Sequence, residues 1–197
     1  MKVSPEHNLY LTNVINVSSE IKARIRDIRN EEQVRKWMYT DHLISKEEHE
    51  AWLKRLDADK KNIVFIVSID NNEPLGVLSI NSIDKNHEKA EWAYYLTGSA
   101  RSGLGAVLEF FILDYVFNVL KLKKLNCEVI ENNDSVISLH LKFGFQQEGF
   151  RKYNIVKNGT RIGVYLLGMT DIEWKENKDK IQKKYMKLFS KYNIVWN

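Results

Sequence analysis

The sequence predicts a mixed α/β chain of the α+β kind: a strongly twisted, mostly antiparallel sheet of about seven strands flanked by helices. Three observations predict it. β-Branched, apolar runs recur as turn-linked pairs, at 62–83 and again at 150–169. The run VLEFFILDYVFNVL, residues 107–120, is apolar on most faces and reads as a largely buried helix. Residues 125–150, LNCEVIENNDSVISLHLKFGFQQEGF, set a strand, an Asn-rich turn, a helix and a Gly-flanked aromatic closure in direct succession.

The elements follow in order. Residues 9–17 read as a first strand and 20–30 as a helix, followed by a short helix or turn carrying Trp37, Met38 and Tyr39. Ser45, Lys46, Glu47 and Glu48 form a capping box, in which the serine hydroxyl takes an orphan N–H and the glutamate reaches back to the cap. The helix it opens turns Trp52, Leu53 and Leu56 inward. NIVFIVSID, the turn DNNEP and LGVLSINSI make the first hairpin, and 89–97 adds the strand KAEWAYYLT. After GSARSGLGA comes the apolar helix, then the strand KKLNCEVI, the helix SVISLHLKF, and a second hairpin turning at Lys157, Asn158 and Gly159. Ile181, Tyr185, Leu188, Phe189 and Tyr192 recur at helical spacing in the tail, with lysines between them. Residues 1–170 are therefore expected to form one domain, with 171–197 a basic amphipathic helix packed on it.

Bulk properties bound the chemistry. With 197 residues, 44% of them hydrophobic, the chain fills one well-buried domain. The single Cys127 forms no internal disulfide, and five scattered histidines offer no zinc pattern, so no metal is expected. No run approaches the roughly 18 apolar residues that span a bilayer, and MKVSPEHNLYL lacks the apolar region of a signal peptide. A cytoplasmic protein without a membrane partner is expected. The net charge of +4 sits mostly in the tail, where seven lysines face four acidic residues, and forms no compact nucleic-acid motif. Oligomeric state stays open, with a homodimer as the candidate assembly.

Two constellations carry chemistry. Arg101, Ser102, Gly103, Leu104, Gly105 and Ala106 lie between a strand and a helix, where glycines let backbone approach a ligand and free N–H groups at the helix start offer an anion site. The loop lacks the Lys-Ser/Thr of a triphosphatase loop and the three glycines of a dinucleotide fingerprint. Gly-rich strand-to-helix turns without ligands are as common as those with them. Downstream, Asn132 and Asn133 supply a turn, Phe143, Gly144 and Phe145 a closure, and Glu148 and Gly149 an ending.

Together these resemble the Gcn5-related N-acetyltransferase (GNAT) family, which places a loop Gln/Arg-x-x-Gly-x-Gly/Ala before one helix, then a strand, an Asn turn and a helix ending in aromatic-Gly-Phe. The family's loop-opening Gln/Arg would fall on Ala100, with the arginine displaced to Arg101. The resemblance implies acetyl-CoA as co-substrate. Its pantetheine would enter between a strand ending near Tyr95 and a parallel, splayed strand starting near Leu125. Tyr94, Tyr95 and Leu96 would offer the backbone N–H that stabilises the oxyanion, and the loop residues with Asn133 would hold the coenzyme.

The family's usual acid is a tyrosine on the helix after the Asn turn; here that position is His140. An imidazolium with an ordinary pKa near 6.5 gives a proton downhill to a thiolate near 8.5, whereas a phenol near 10 gives it uphill. His140 is either that acid, titrating near neutrality, or a core histidine. Glu128 is the candidate base, acting through water, with Glu91 its competitor, and Ser79 a group that orients water or amine. Over residues 9–170 the chain further resembles the GNAT branch that acetylates the 4-amino group of UDP-linked 4-amino-4,6-dideoxy sugars in bacterial pseudaminic acid synthesis, whose product modifies flagellin or a surface polysaccharide. In that branch, residues matching Arg29, Met38, Tyr39, His49 and Trp52 line the nucleotide pocket. Arg29 and His49 would meet the diphosphate, and aromatic faces would stack on uracil. Trp52 and Arg29 equally suit ordinary packing and an exposed helix charge. N-terminal acetylation of ribosomal proteins, and a catalytically silent coenzyme-binding protein, are the alternative functions.

Overall fold

The computed structural model describes residues 4–70, 73–100 and 103–197. Its strands are β1 (His7–Asn13), β2 (Ile63–Ile69), β3 (Gly76–Asp84), β4 (Lys89–Leu96), β5 (Lys124–Ile130), β6 (Gln146–Lys157), β7 (Thr160–Thr170) and β8 (Tyr192–Trp196). The helices are α1 (Ser19–Asn30), α2 (Glu32–Arg35), α3 (Lys46–Ala58), α4 (Leu104–Asp114), α5 (Asp134–Phe143) and α6 (Asp171–Phe189). All eight strands join one sheet in the order β6-β7-β5-β4-β3-β2-β1-β8. Pairing is antiparallel except at β4–β5 and β1–β8.

Helices cover both faces of the sheet. On one, α4, α5 and α6 close a core around Leu78, Trp92, Leu108, Phe143 and Trp174. Over the other, α1 and α3 bring Ile25 and Leu56 against Val64, Ile66 and Val77, with Trp52 and Tyr95 at the margin. α4 is buried along nearly its whole length, as its uniform apolarity requires, and continues into a π-helical turn at Tyr115–Val119.

Local signals fix several boundaries. Asn13 ends β1 early because its side chain accepts from the Ile15 amide and starts a 3-10 turn at Val14–Asn16. The Ser45–Glu48 capping box is formed in both directions. Ser45→Ala removes one of its two bonds and is expected to cost about 1 kcal/mol, read as a lowered thermal midpoint. Gly144, at φ 99°, ends α5 in the left-handed region, and β6 then begins at Gln146, four residues before the predicted start. At the other end of β6, Asn158 and Gly159 take φ 48° and 75° in a two-residue hairpin loop closed by Lys157 and Thr160.

The tail departs from its expected single helix. α6 ends at Phe189, and β8 then lies parallel to β1, with Asn8 and Asn193 hydrogen-bonded side chain to side chain. Trp196 stacks on Tyr115 at 4.4 Å and meets Phe65 edge-on, so the last strand closes the core. This is the eighth strand, one more than predicted.

Candidate active site at the parted strands

β4 and β5 are paired only where Lys89, Ala90 and Glu91 meet Lys124, Leu125 and Asn126. Beyond that point β4 continues on β3 to Leu96 while β5 continues on β7 to Ile130, so the two edges part and face each other across a gap. The Thr97 amide donates to Leu75, which places the odd-numbered amides of β4 toward β3. By alternation the amides of Tyr94 and Leu96 face the gap, while that of Tyr95 is tied into the sheet. Tyr94 and Leu96 are thus the positioned donors.

α4 starts at the mouth of this gap. Gly103 caps it at φ 90° with no side-chain bond, and the first amides to return to its carbonyl are those of Ala106 and Val107. The amides of Leu104 and Gly105 therefore precede the helical ladder, at the positive end of the dipole. A Cβ on Gly105 would sit 2.9 Å from the Tyr94 hydroxyl, so a larger residue there would push the tip of that side chain aside. The side chains of Leu104 and Ala106 are buried in the core, which leaves their backbone as what they can offer a ligand. Arg101 and Ser102 lie outside the described residues. An extended thioester with a diphosphate end fits this frame, with bare amides along the gap and free ones at the helix start.

A cavity of about 340 Å³ opens on the gap and gathers His140, Glu128, Glu91, Tyr94, Asn133, Met38 and Tyr39 from distant parts of the sequence. His140, only 3% exposed, bonds through Nδ1 to Oε1 of Glu109 at 2.9 Å and meets Trp92 edge-on. Burial alone would lower its pKa. Glu109, with a contribution from Cys127, outweighs burial and raises it to about 10. An acid titrating near neutrality was expected; the buried carboxylate, unforeseen from sequence, moves the titration well above it. Glu128 is held between Arg151, at 2.6 Å, and the Tyr39 hydroxyl, which donates to it. Burial, then that bond, raises the Tyr39 phenol's pKa, so Tyr39 stays protonated. Glu91 lines the same cavity, and among the described residues no hydrogen bond or ion pair engages its carboxylate. Ser79 lies next door, in a cavity of about 330 Å³, where its hydroxyl accepts from Asn81 at 2.9 Å. Asn133 caps α5 and accepts from Ser135.

A third cavity, of about 500 Å³, lies on the α1–α3 side and is lined by Arg29, His42, His49, Trp52, Arg55 and Tyr95 among others. Tyr95 and Trp52 also line the Ser79 cavity, and Asn81 joins that one to the His140 cavity, so the three adjoin. Arg29 donates to Thr40 at 2.7 Å, while its buried Nη1 has no hydrogen-bond partner among the described residues. His49 differs from expectation. Its Nε2 donates to the Lys22 carbonyl at 2.7 Å, and burial, the largest influence, lowers its pKa, so it is a neutral strut between α3 and α1. Met38 and Tyr39 line the His140 cavity and not the one that Arg29 lines. The buried Lys157 ammonium binds the Arg35 and Met38 carbonyls and draws this segment toward the β6–β7 hairpin. His42 and Arg55 were missed, although Arg55, three residues after Trp52, shares its helix face.

A parted parallel pair in a mixed sheet, with a helix start at its mouth and bare strand amides along it, defines the Gcn5-related acyltransferase fold. Residues 21–165 match the acetyltransferase (GNAT) domain, and the chain belongs to that family. Spermidine N(1)-acetyltransferase of Escherichia coli K12 is 29% identical over 57% of this chain and 64% of its own. Acetyltransferase PseH of Campylobacter jejuni NCTC 11168 is 30% identical over 70% of this chain and 80% of its own. Among solved structures, spermidine N-acetyltransferase from Vibrio cholerae, in complex with CoA and spermine, superposes with a TM-score of 0.77 at 19% identity, covering 86% of this chain and 98% of that one. The chain spans about half to two thirds of the length of the Bacillus subtilis and E. coli relatives it matches.

Among the described residues, no group of His, Cys, Asp or Glu is arranged to hold a metal ion, and no helix is long and apolar enough to cross a membrane.

Proposed function

We propose that the protein is an acetyl-CoA-dependent N-acetyltransferase whose acceptor is the 4-amino group of a UDP-linked 4-amino-4,6-dideoxy sugar, as in pseudaminic acid synthesis. One observation carries the choice of acceptor: the cavity of about 500 Å³ is cationic and aromatic. Arg29, with an unpartnered buried Nη1, and Arg55 stand beside Trp52, Tyr95 and His42. The one carboxylate among these lining residues, Glu48, is engaged by Ser45 and His42. Guanidinium groups and aromatic faces suit a diphosphate and a base. A polyamine, carrying several positive charges, would meet like charge there, which disfavours the activity named for the spermidine acetyltransferases.

Acetyl-CoA supplies an activated acetyl thioester. The amides of Leu104 and Gly105 hold its diphosphate, and those of Tyr94 and Leu96 stabilise negative charge on the acyl oxygen. Glu91 or Glu128 relieves the incoming ammonium of its proton through water; Glu91 is the less encumbered, since Glu128 is already shared by Arg151 and Tyr39. His140 gives a proton to the departing thiolate. Both substrates belong to the cytoplasm, which favours that compartment.

Thiol release from acetyl-CoA, compared for the UDP-amino sugar, spermidine and ribosomal N-terminal peptides, tests the assignment. Turnover with the sugar alone is expected. Turnover confined to spermidine or to peptides would reject the acceptor, and silence with all three would favour a coenzyme-binding protein.

A further inference from the structure

We infer that Glu109 is the positioning residue of the acid, holding His140 through Nδ1 so that a buried carboxylate–imidazole pair stands where the family uses a tyrosine. This rests on the reading of His140 as the acid.

Glu109 is out of place in its own helix. It is the charged residue in the middle of α4, 0% exposed, between the buried Leu108 and Phe110. Its Oε1 meets His140 Nδ1 at 2.9 Å, while Oε2 is buried with no hydrogen-bond partner among the described residues. Two apolar side chains would join α4 to α5 at least as well, because desolvating an ion pair offsets much of its attraction. The pair's position explains what packing does not: the imidazole lines the cavity at the parted strands.

With Nδ1 committed to Glu109, Nε2 is the nitrogen left for the cleft, with the Cys127 side chain as the ring's other hydrogen-bond partner. The groups packed around the pair are Trp92 and Tyr94 from β4, Cys127 from β5 and Phe145 ahead of β6. Glu109 supplies the negative charge that keeps His140 protonated despite its burial, and burial in turn raises Glu109's own pKa. The pair therefore carries its proton through neutral pH. The imidazolium thus titrates well above its ordinary range, in the direction of a phenol.

Glu109→Gln removes the charge and keeps the shape. Burial is then opposed by Cys127 alone, and the His140 pKa is expected to fall to its usual value near 6.5 or below. Protein labelled in its histidine rings, followed by NMR from pH 5.5 to 9.5, reads this without any substrate. The His140 resonance, assigned by its loss in His140→Phe, is expected to remain protonated past pH 8 in the native protein and to be neutral by pH 7.5 in Glu109→Gln. Glu109→Asp, which keeps the charge, should stay protonated past pH 7.5 and serves if the glutamine variant fails to fold. Equal titration of the native protein and Glu109→Gln, or a native midpoint near 6.5, would overturn the inference.

Kinetics separate it from the reading beneath it. Glu109→Gln should lose at least about 25-fold in turnover between pH 6 and pH 8 relative to the native enzyme, as the protonated fraction at a pKa of 6.5 or below requires. In a His140→Tyr background the same substitution should change the pH profile little. A loss equal at every pH would make Glu109 merely structural and contradict the inference. Full activity of His140→Phe would instead contradict the role of His140 itself.

Discussion

His140→Phe is expected to lower turnover by roughly 10²–10⁴-fold, the range over which a positioned acid contributes, while the Michaelis constant for acetyl-CoA changes little. The phenyl ring takes the place of the imidazole against Trp92 and Phe145, so the walls of the cleft keep their shape. The donors proposed for the coenzyme are backbone amides on β4 and α4, which the substitution leaves in place. The variant does leave Glu109 without its partner, and a buried lone carboxylate takes up a proton instead of remaining ionised. Its thermal midpoint should therefore be measured beside its kinetics, with His140→Gln as a second substitution that can still hydrogen-bond to Glu109. Turnover within about threefold of native in a folded variant would remove His140 from the mechanism.

Arg29→Met should act on the other substrate. A hydrogen bond to a charged group is worth about 1.5–3 kcal/mol, so losing the guanidinium is expected to raise the Michaelis constant for the nucleotide sugar by roughly 10- to 150-fold. Turnover at saturation should be nearly unchanged, because Arg29 lies in the cavity beside Tyr95 and Trp52, away from His140. Methionine retains the apolar length that packs beneath the guanidinium, and loses the bond to Thr40. Unaltered acceptor kinetics, or a loss confined to turnover, would show that Arg29 does not hold the substrate.

Legibility in the sequence followed the range of each interaction. The capping box, the Asn158–Gly159 loop and the strand–turn–helix of 125–150 are local devices, and each formed where its residues stand. β8 has no such signal. It is five residues long, and its pairing depends on β1 at the opposite end of the chain. Nothing in YNIVW announces that partner, so the apolar stripe of α6 was extended through it.

The same distinction runs through the site. The parting of β4 and β5 followed from the family pattern, but Glu109 was absorbed into an apolar run and gave no sign of its partner 31 residues away. Reading His140 alone therefore gave the wrong titration range. Met38 and Tyr39 were grouped with Arg29 by the family resemblance, whereas Lys157, more than a hundred residues on, holds that segment by its carbonyls. His49 shares a helix face with Trp52, as its spacing indicates, yet its ring is spent on the Lys22 carbonyl.

Inhibition by UDP, at fixed acetyl-CoA and varied amino sugar, tests most directly whether the cationic, aromatic cavity holds the acceptor's nucleotide. Competitive inhibition against the sugar is predicted, weakened in Arg29→Met and not reproduced by spermine. Absence of competition by UDP, or competition by spermine in its place, would contradict it.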